Sequence, residues 1–145
     1  MTGKVLLDTN VFIDYLRVGQ HEEWVWGGTE PRVRFLSAVV LLELRLGADT
    51  QPRRRAVDRI QAAFPSGRVL APTYQLFDRA GRLFRLLYGG GRSRADRLGP
   101  IDDLLIALTA WQVGATLITS NLAEFRRIAA SLPGLSVVPP SHRAS

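Results

Sequence analysis

Four acidic residues stand at the borders of apolar segments. Asp8 follows Val5-Leu6-Leu7, Glu43 lies within VVLLELRLGA, Asp103 heads LLIALTAW, and Glu124 follows ATLITS. A carboxylate at the edge of a hydrophobic element is costly to desolvate unless a positive charge compensates it. Carboxylate oxygens are the ligands that hard divalent ions such as Mg²⁺ and Mn²⁺ accept, so the pattern points to a metal held by residues far apart in sequence. The chemistry available to such an ion is activation of water and neutralisation of charge on a phosphate.

Composition narrows the field by exclusion. The chain has no cysteine, which removes disulfides, thiolate zinc sites and cysteine nucleophiles together, and is compatible with a reducing cytoplasm. His21 and His142 are its only histidines, too few for a histidine zinc site. Net charge is +6 and the sequence pI is about 10.9, with Lys4 the single lysine among 19 basic residues. That arginine excess suits bidentate contacts to phosphate or carboxylate, so nucleic acid or an acidic partner segment is a natural counterpart. Arginine used simply as a solvated surface cation explains the composition equally well. The amino-terminal segment lacks the long apolar core of a signal peptide, and no apolar stretch reaches membrane-spanning length, so the expectation is a soluble cytoplasmic protein.

The elements that must position the acids follow from hydrophobic periodicity. Residues 4–7 read as a buried strand, and Thr9-Asn10 suit the cap of a helix through Val11, Phe12, Tyr15 and Leu16. A short helix over 21–26, a strand over 33–36, a helix over about 39–48 carrying Glu43, and a helix over 52–64 with Arg53, Arg54, Arg55 and Arg59 outward come next. Val69-Leu70 reads as a strand and 73–88 as a helix with an apolar stripe. GGGRSRADRLGP reads as a mobile loop, followed by a helix over about 101–113. A strand over 116–118, a helix over about 124–132 and a strand near 135–138 complete the chain, leaving 141–145 as a disordered tail after one domain over 1–140. Strands alternating with helices predict a mostly parallel sheet covered on both faces, with ligands bound beyond the carboxyl ends of its strands. Asp8 and Ser120-Asn121 fall at such ends.

At these residues the chain resembles the PIN-domain ribonucleases and, among them, the VapC-type toxins of bacterial toxin-antitoxin pairs. LLDTNVFIDYL, SAVVLLELRLGA and DLLIALTAWQVGATLITSNLAEF match that family's three blocks in order and spacing, across nearly the whole chain. The resemblance implies a three-layer α/β/α fold around a central mostly parallel sheet of four or five strands. It places acidic ligands for Mg²⁺ or Mn²⁺ on Asp8, Glu43 and Asp103, with Glu124 at a fourth position where many relatives have aspartate. Asp102 is the rival to Asp103, unless it caps the helix. Thr9, Asn10 and Asn121 are implied to orient the ligands or a water. The family's frequent threonine three residues before its second acid is Val40 here.

The activity implied is metal-dependent endoribonuclease cleavage by metal-activated water. Arg92, Arg94 and Arg97 are candidates to clamp RNA phosphates, or are solvated loop charges. The partners implied are RNA, a cognate antitoxin that places a basic side chain among the carboxylates, and a second copy of the chain in a homodimer. Phe12, Tyr15, Trp24 and Trp26 are expected to offer apolar area for those contacts. Asp14 reads as a surface acid that could assist from behind the site. A phosphotransferase of the haloacid-dehalogenase type would need a second aspartate where Asn10 stands, and that enzyme and a receiver domain both need a lysine that the chain lacks. The remaining alternative is a silent PIN-like module that only binds RNA or protein.

Overall fold

Val5, Leu6 and Leu7 have no exposed surface, so β1 (Lys4–Leu7) is covered on both faces, as a central parallel strand must be. The computed structural model describes residues 3–28, 30–89 and 94–141, with the backbone alone at 94–96. Within these, β1 is flanked by β2 (Val33–Ser37) and β4 (Thr116–Ile118), and the edges are β3 (Val69–Leu70) and β5 (Val137–Val138). The order is β3-β2-β1-β4-β5, and every pairing is parallel. The chain order reverses between β1 and β4, which makes the gap beyond their carboxyl ends the place where such sheets bind ligands. Among the described residues seven helices pack around the sheet in the expected three-layer α/β/α arrangement.

Local chemistry sets the helix starts. Ser37 ends β2 and accepts from the amides of Val39 and Val40, launching α3 (Ala38–Leu46) straight from the strand. Thr50 caps α4 (Gln51–Ala62), with Pro52 in its first turn, and Thr73 caps α5 (Tyr74–Tyr88). α1 (Thr9–Val18) is capped by Asp8 and not by the Thr9-Asn10 pair that the sequence suggested. Backbone geometry decides this, because Asp8 is still extended while Thr9 is already helical.

The largest departure from expectation concerns α6, which spans Arg94–Val113 with Pro100 inside it. The segment 94–100, read as mobile loop, is therefore helical. Pro100 forfeits one helical amide, but Gly99 before it has no Cβ to collide with the ring, and extensive packing of α6 against α5 overrides the break. Asp102 is consequently interior to a helix and caps nothing.

The core is continuous. Phe12 of α1, Trp24 of α2 (Glu22–Trp26), Leu104, Ile106 and Leu108 of α6 and Phe125 of α7 (Leu122–Ala129) are all buried around β1 and β4. Phe12 and Trp24 are thus unable to offer docking area, while Tyr15 and Trp26 stay half-buried in an edge-to-face contact. The Trp24 indole donates to the Pro140 carbonyl at 2.5 Å, fastening the end of the domain. His142 and the rest of the expected tail beyond 141 lie outside the described residues.

Candidate acidic active site

Asp8 joins β1 to α1 at the point where the strand order reverses, and its amide donates to the Ile118 carbonyl of β4 at 2.9 Å. Asp8 is 5% exposed, and both its carboxylate oxygens have donors. The Thr9 amide reaches Oδ1 and the Thr119 hydroxyl reaches Oδ2, each at 2.8 Å. The Thr119 hydroxyl also accepts from Asn10 Nδ2 at 3.3 Å and from the Asn121 amide at 3.0 Å, which uses its one donor and two acceptor sites. Asn10 in turn accepts from the Ser120 amide. This closed network stitches the two central strands together beneath Asp8.

Glu43 comes to the same edge from α3, where Thr9 Oγ1 donates to its Oε1 at 2.6 Å. The side-chain hydroxyl that Val40 lacks is thus supplied from α1. Asp103 arrives from α6 and Glu124 from the first turn of α7, where the Tyr88 hydroxyl donates to Glu124 Oε1. Thr119 and Tyr88 are the polar residues that reading by motif leaves without a role. Thr119 lies inside the third motif block, two residues before Asn121. Tyr88 had no signal beyond ending an apolar stripe. Asn121 itself contributes its backbone amide, and among the described residues its side chain makes no hydrogen bond.

The electrostatics follow from this proximity. Burial, followed by the charges of Asp8, Glu43, Glu124 and Asp102, pushes the Asp103 carboxyl up to about 7. Asp8 is also raised, mainly by burial and further by Glu43, against the opposing pull of its Thr119 and Thr9 hydrogen bonds. Asp102 is raised by burial and by Glu43, which puts it on the same edge. Asp14 is occupied elsewhere, paired with His21 at 3.3 Å. Among the candidate RNA contacts, Arg92 and the Arg94 side chain lie outside the described residues, and Arg97 sits on α6, half-buried.

The donor set is all oxygen and crowded with like charge, which fits a hard divalent cation. Among the described residues no three carboxylates close on one point tightly enough to cage an ion alone. An open arrangement suits an ion that keeps coordination positions for water and phosphate. A groove of about 600 Å³ between α1, α3 and α4 has Glu43 in its wall beside Ile13, Leu16, Leu44 and Val57, with Arg17 and Arg53 at its sides. A separate cleft of about 410 Å³ near β3, lined by Asp58, Gln61 and Phe64, contains none of the four acids.

An all-parallel sheet whose switch point gathers carboxylates from four chain segments defines an α/β protein with an acidic site at the strand ends. The chain belongs to the PIN domain family, whose model matches residues 5–131. The sequence matches no curated protein. Among solved structures it is similar to VapBC-1 from nontypeable Haemophilus influenzae, at 26% identity and a TM-score of 0.66 over 96% of this chain and 99% of that one. It is similar to DNA-bound VapBC from Salmonella typhimurium, at 23% identity and 0.63 over 94% and 98%. It is also similar to VapBC-5 from Mycobacterium tuberculosis, described as a member of a family of toxin-antitoxin systems, at 24% identity and 0.53 over 95% and 98%.

Proposed function

We propose that this PIN domain is a divalent-metal-dependent endoribonuclease acting as the toxin of a toxin-antitoxin pair. The observation that carries the reading is that Asp8, Glu43, Asp103 and Glu124 reach one sheet edge from four chain segments, where burial first and the neighbouring carboxylates second push the Asp103 carboxyl up to about 7; carboxylates kept together against their own repulsion need a cation to offset it. Asp8, Glu43 and Asp103 are the residues to hold Mg²⁺ or Mn²⁺. The bound ion supplies a water of lowered pKa and neutralises charge on the phosphate.

The chain's own residues set the geometry. Thr9 and Thr119 hold both oxygens of Asp8, and Thr9 also holds Glu43, so two carboxylates are fixed before substrate arrives. Glu124, across the edge, orients the attacking water. The acidic edge by itself would repel an RNA phosphate, and a divalent ion held by Asp8, Glu43 and Asp103 would offset that repulsion. Exposed arginines on α4 and elsewhere give the +6 chain its attraction for the RNA backbone.

The groove that reaches Glu43 supports the antitoxin half of the reading. Its apolar wall fits a partner segment with apolar side chains, Arg17 and Arg53 fit acidic ones, and a guanidinium delivered past Glu43 would replace the metal's charge. For the homodimer, exposed Leu42 and Leu46 on α3 and Tyr74 and Phe77 on α5 offer area that Phe12 and Trp24 do not. The test is cleavage of cellular RNA by the purified chain with Mg²⁺, with Mn²⁺ and with EDTA, alongside light scattering for a species of about twice 16.1 kDa. Undiminished cleavage in EDTA would sink the mechanism, and harmless high-level expression of the wild-type chain would sink the toxin role.

A further inference from the structure

Tyr88 ends α5 and belongs to none of the acidic segments, yet its hydroxyl donates to Glu124 Oε1. Its ring is itself held in place. Phe84, one turn earlier, packs at 5.1 Å between centroids, and the Arg127 guanidinium lies 4.7 Å from the ring centre. Arg127 also donates to the Leu87 carbonyl. Glu124 and Arg127 are three residues apart on α7, one helical face, so α7 grips the last turn of α5 through the hydroxyl, the ring and the backbone together.

A half-buried glutamate in the first turn of a helix has three side-chain torsions to fix, and fixing them costs entropy each time the carboxylate is used. A phenol anchored on two sides removes that freedom in advance. It occupies Oε1, and among the described residues Oε2 has no hydrogen-bond partner.

We propose that Tyr88 is a positioning residue, which fixes Glu124 so that Oε2 serves the divalent ion or the water it carries. This rests on the reading above that the acidic edge binds such an ion. Tyr88→Phe removes the hydroxyl that braces Glu124 while keeping the ring, its contact with Phe84 and its stacking with Arg127.

The test is calorimetric titration of Mn²⁺ into the wild-type chain, Tyr88→Phe, Glu124→Gln and the double variant, with kcat and KM for RNA measured on each. Tyr88→Phe should bind Mn²⁺ about tenfold more weakly and lower kcat with little change in KM. In the Glu124→Gln background the same substitution should change nothing further. A Tyr88→Phe isotherm identical to wild type, or an equal loss in both backgrounds, overturns the positioning role and leaves the metal reading intact. A wild-type chain that takes up no Mn²⁺ overturns the metal reading and the positioning role with it.

Discussion

Both oxygens of Asp8 are met by donors, one from the start of α1 and one just beyond β4, whereas Asp103, on α6, has among the described residues no hydrogen-bond donor and is surrounded by charges of its own sign. The strand side of the site is built by hydrogen bonding, which fixes positions. The helical side is built by repulsion, which creates demand for a cation. A site needs both properties, and here they are divided between β1/β4 and α6.

The comparison is broken most severely by removing a charge from either side. Asp8→Asn and Asp103→Asn should each lower metal-dependent RNA cleavage by about a hundredfold or more, with the fold retained, as read by single-turnover assays and circular dichroism. Residual activity within tenfold of wild type in either variant would show that its carboxylate is dispensable.

Removing a hydrogen bond should separate the two sides. Thr119→Val keeps the shape but leaves a buried oxygen of Asp8 without its donor, and Asn10 and the Asn121 amide without their acceptor. It should cost about 1–3 kcal/mol in urea denaturation at neutral pH. A neutral result would mean that the network beneath Asp8 is replaceable by water.

A pH series on metal-free protein addresses the other side. Asp103 is raised from 3.8 to about 7, so the folded state holds a proton that the unfolded state has released across this window. The Asp103 contribution to stability should therefore be greatest below about pH 4, fall as pH rises towards 7 and level off above it. The Asp103→Asn curve should be flatter, with a higher melting temperature at pH 7.5, and Mg²⁺ should raise the wild-type melting temperature most where that loss is complete. Parallel wild-type and variant curves would remove the repulsion from the account. The smallest effect is expected for Asp102→Asn, a change of a few-fold in activity, because Asp102 adds charge near Glu43 but is the more weakly perturbed neighbour.

How far the sequence anticipates this depends on the kind of signal. β1, β3 and β4 are legible because apolar runs bounded by turn residues have few alternatives, and the acids are legible because each lies in a motif block. The start of α6 is not, since glycine and proline at 99–100 mark a break that packing against α5 overrides. Thr119 and Tyr88 are not either. A hydroxyl announces nothing by its position, and its value depends on a partner 111 residues away in one case and 36 in the other.

The two edge strands carry a consequence for how other chains can attach. β3 and β5 are two residues long, and β5 runs directly into Pro139 and Pro140, which have no amide hydrogen to donate. Among the described residues neither rim offers a long ladder to template a further strand, which disfavours intermolecular sheet growth and strand addition. Among the described residues, side chains on the helices offer the larger surface for association, and such surfaces tolerate sequence change far more readily than a backbone ladder does.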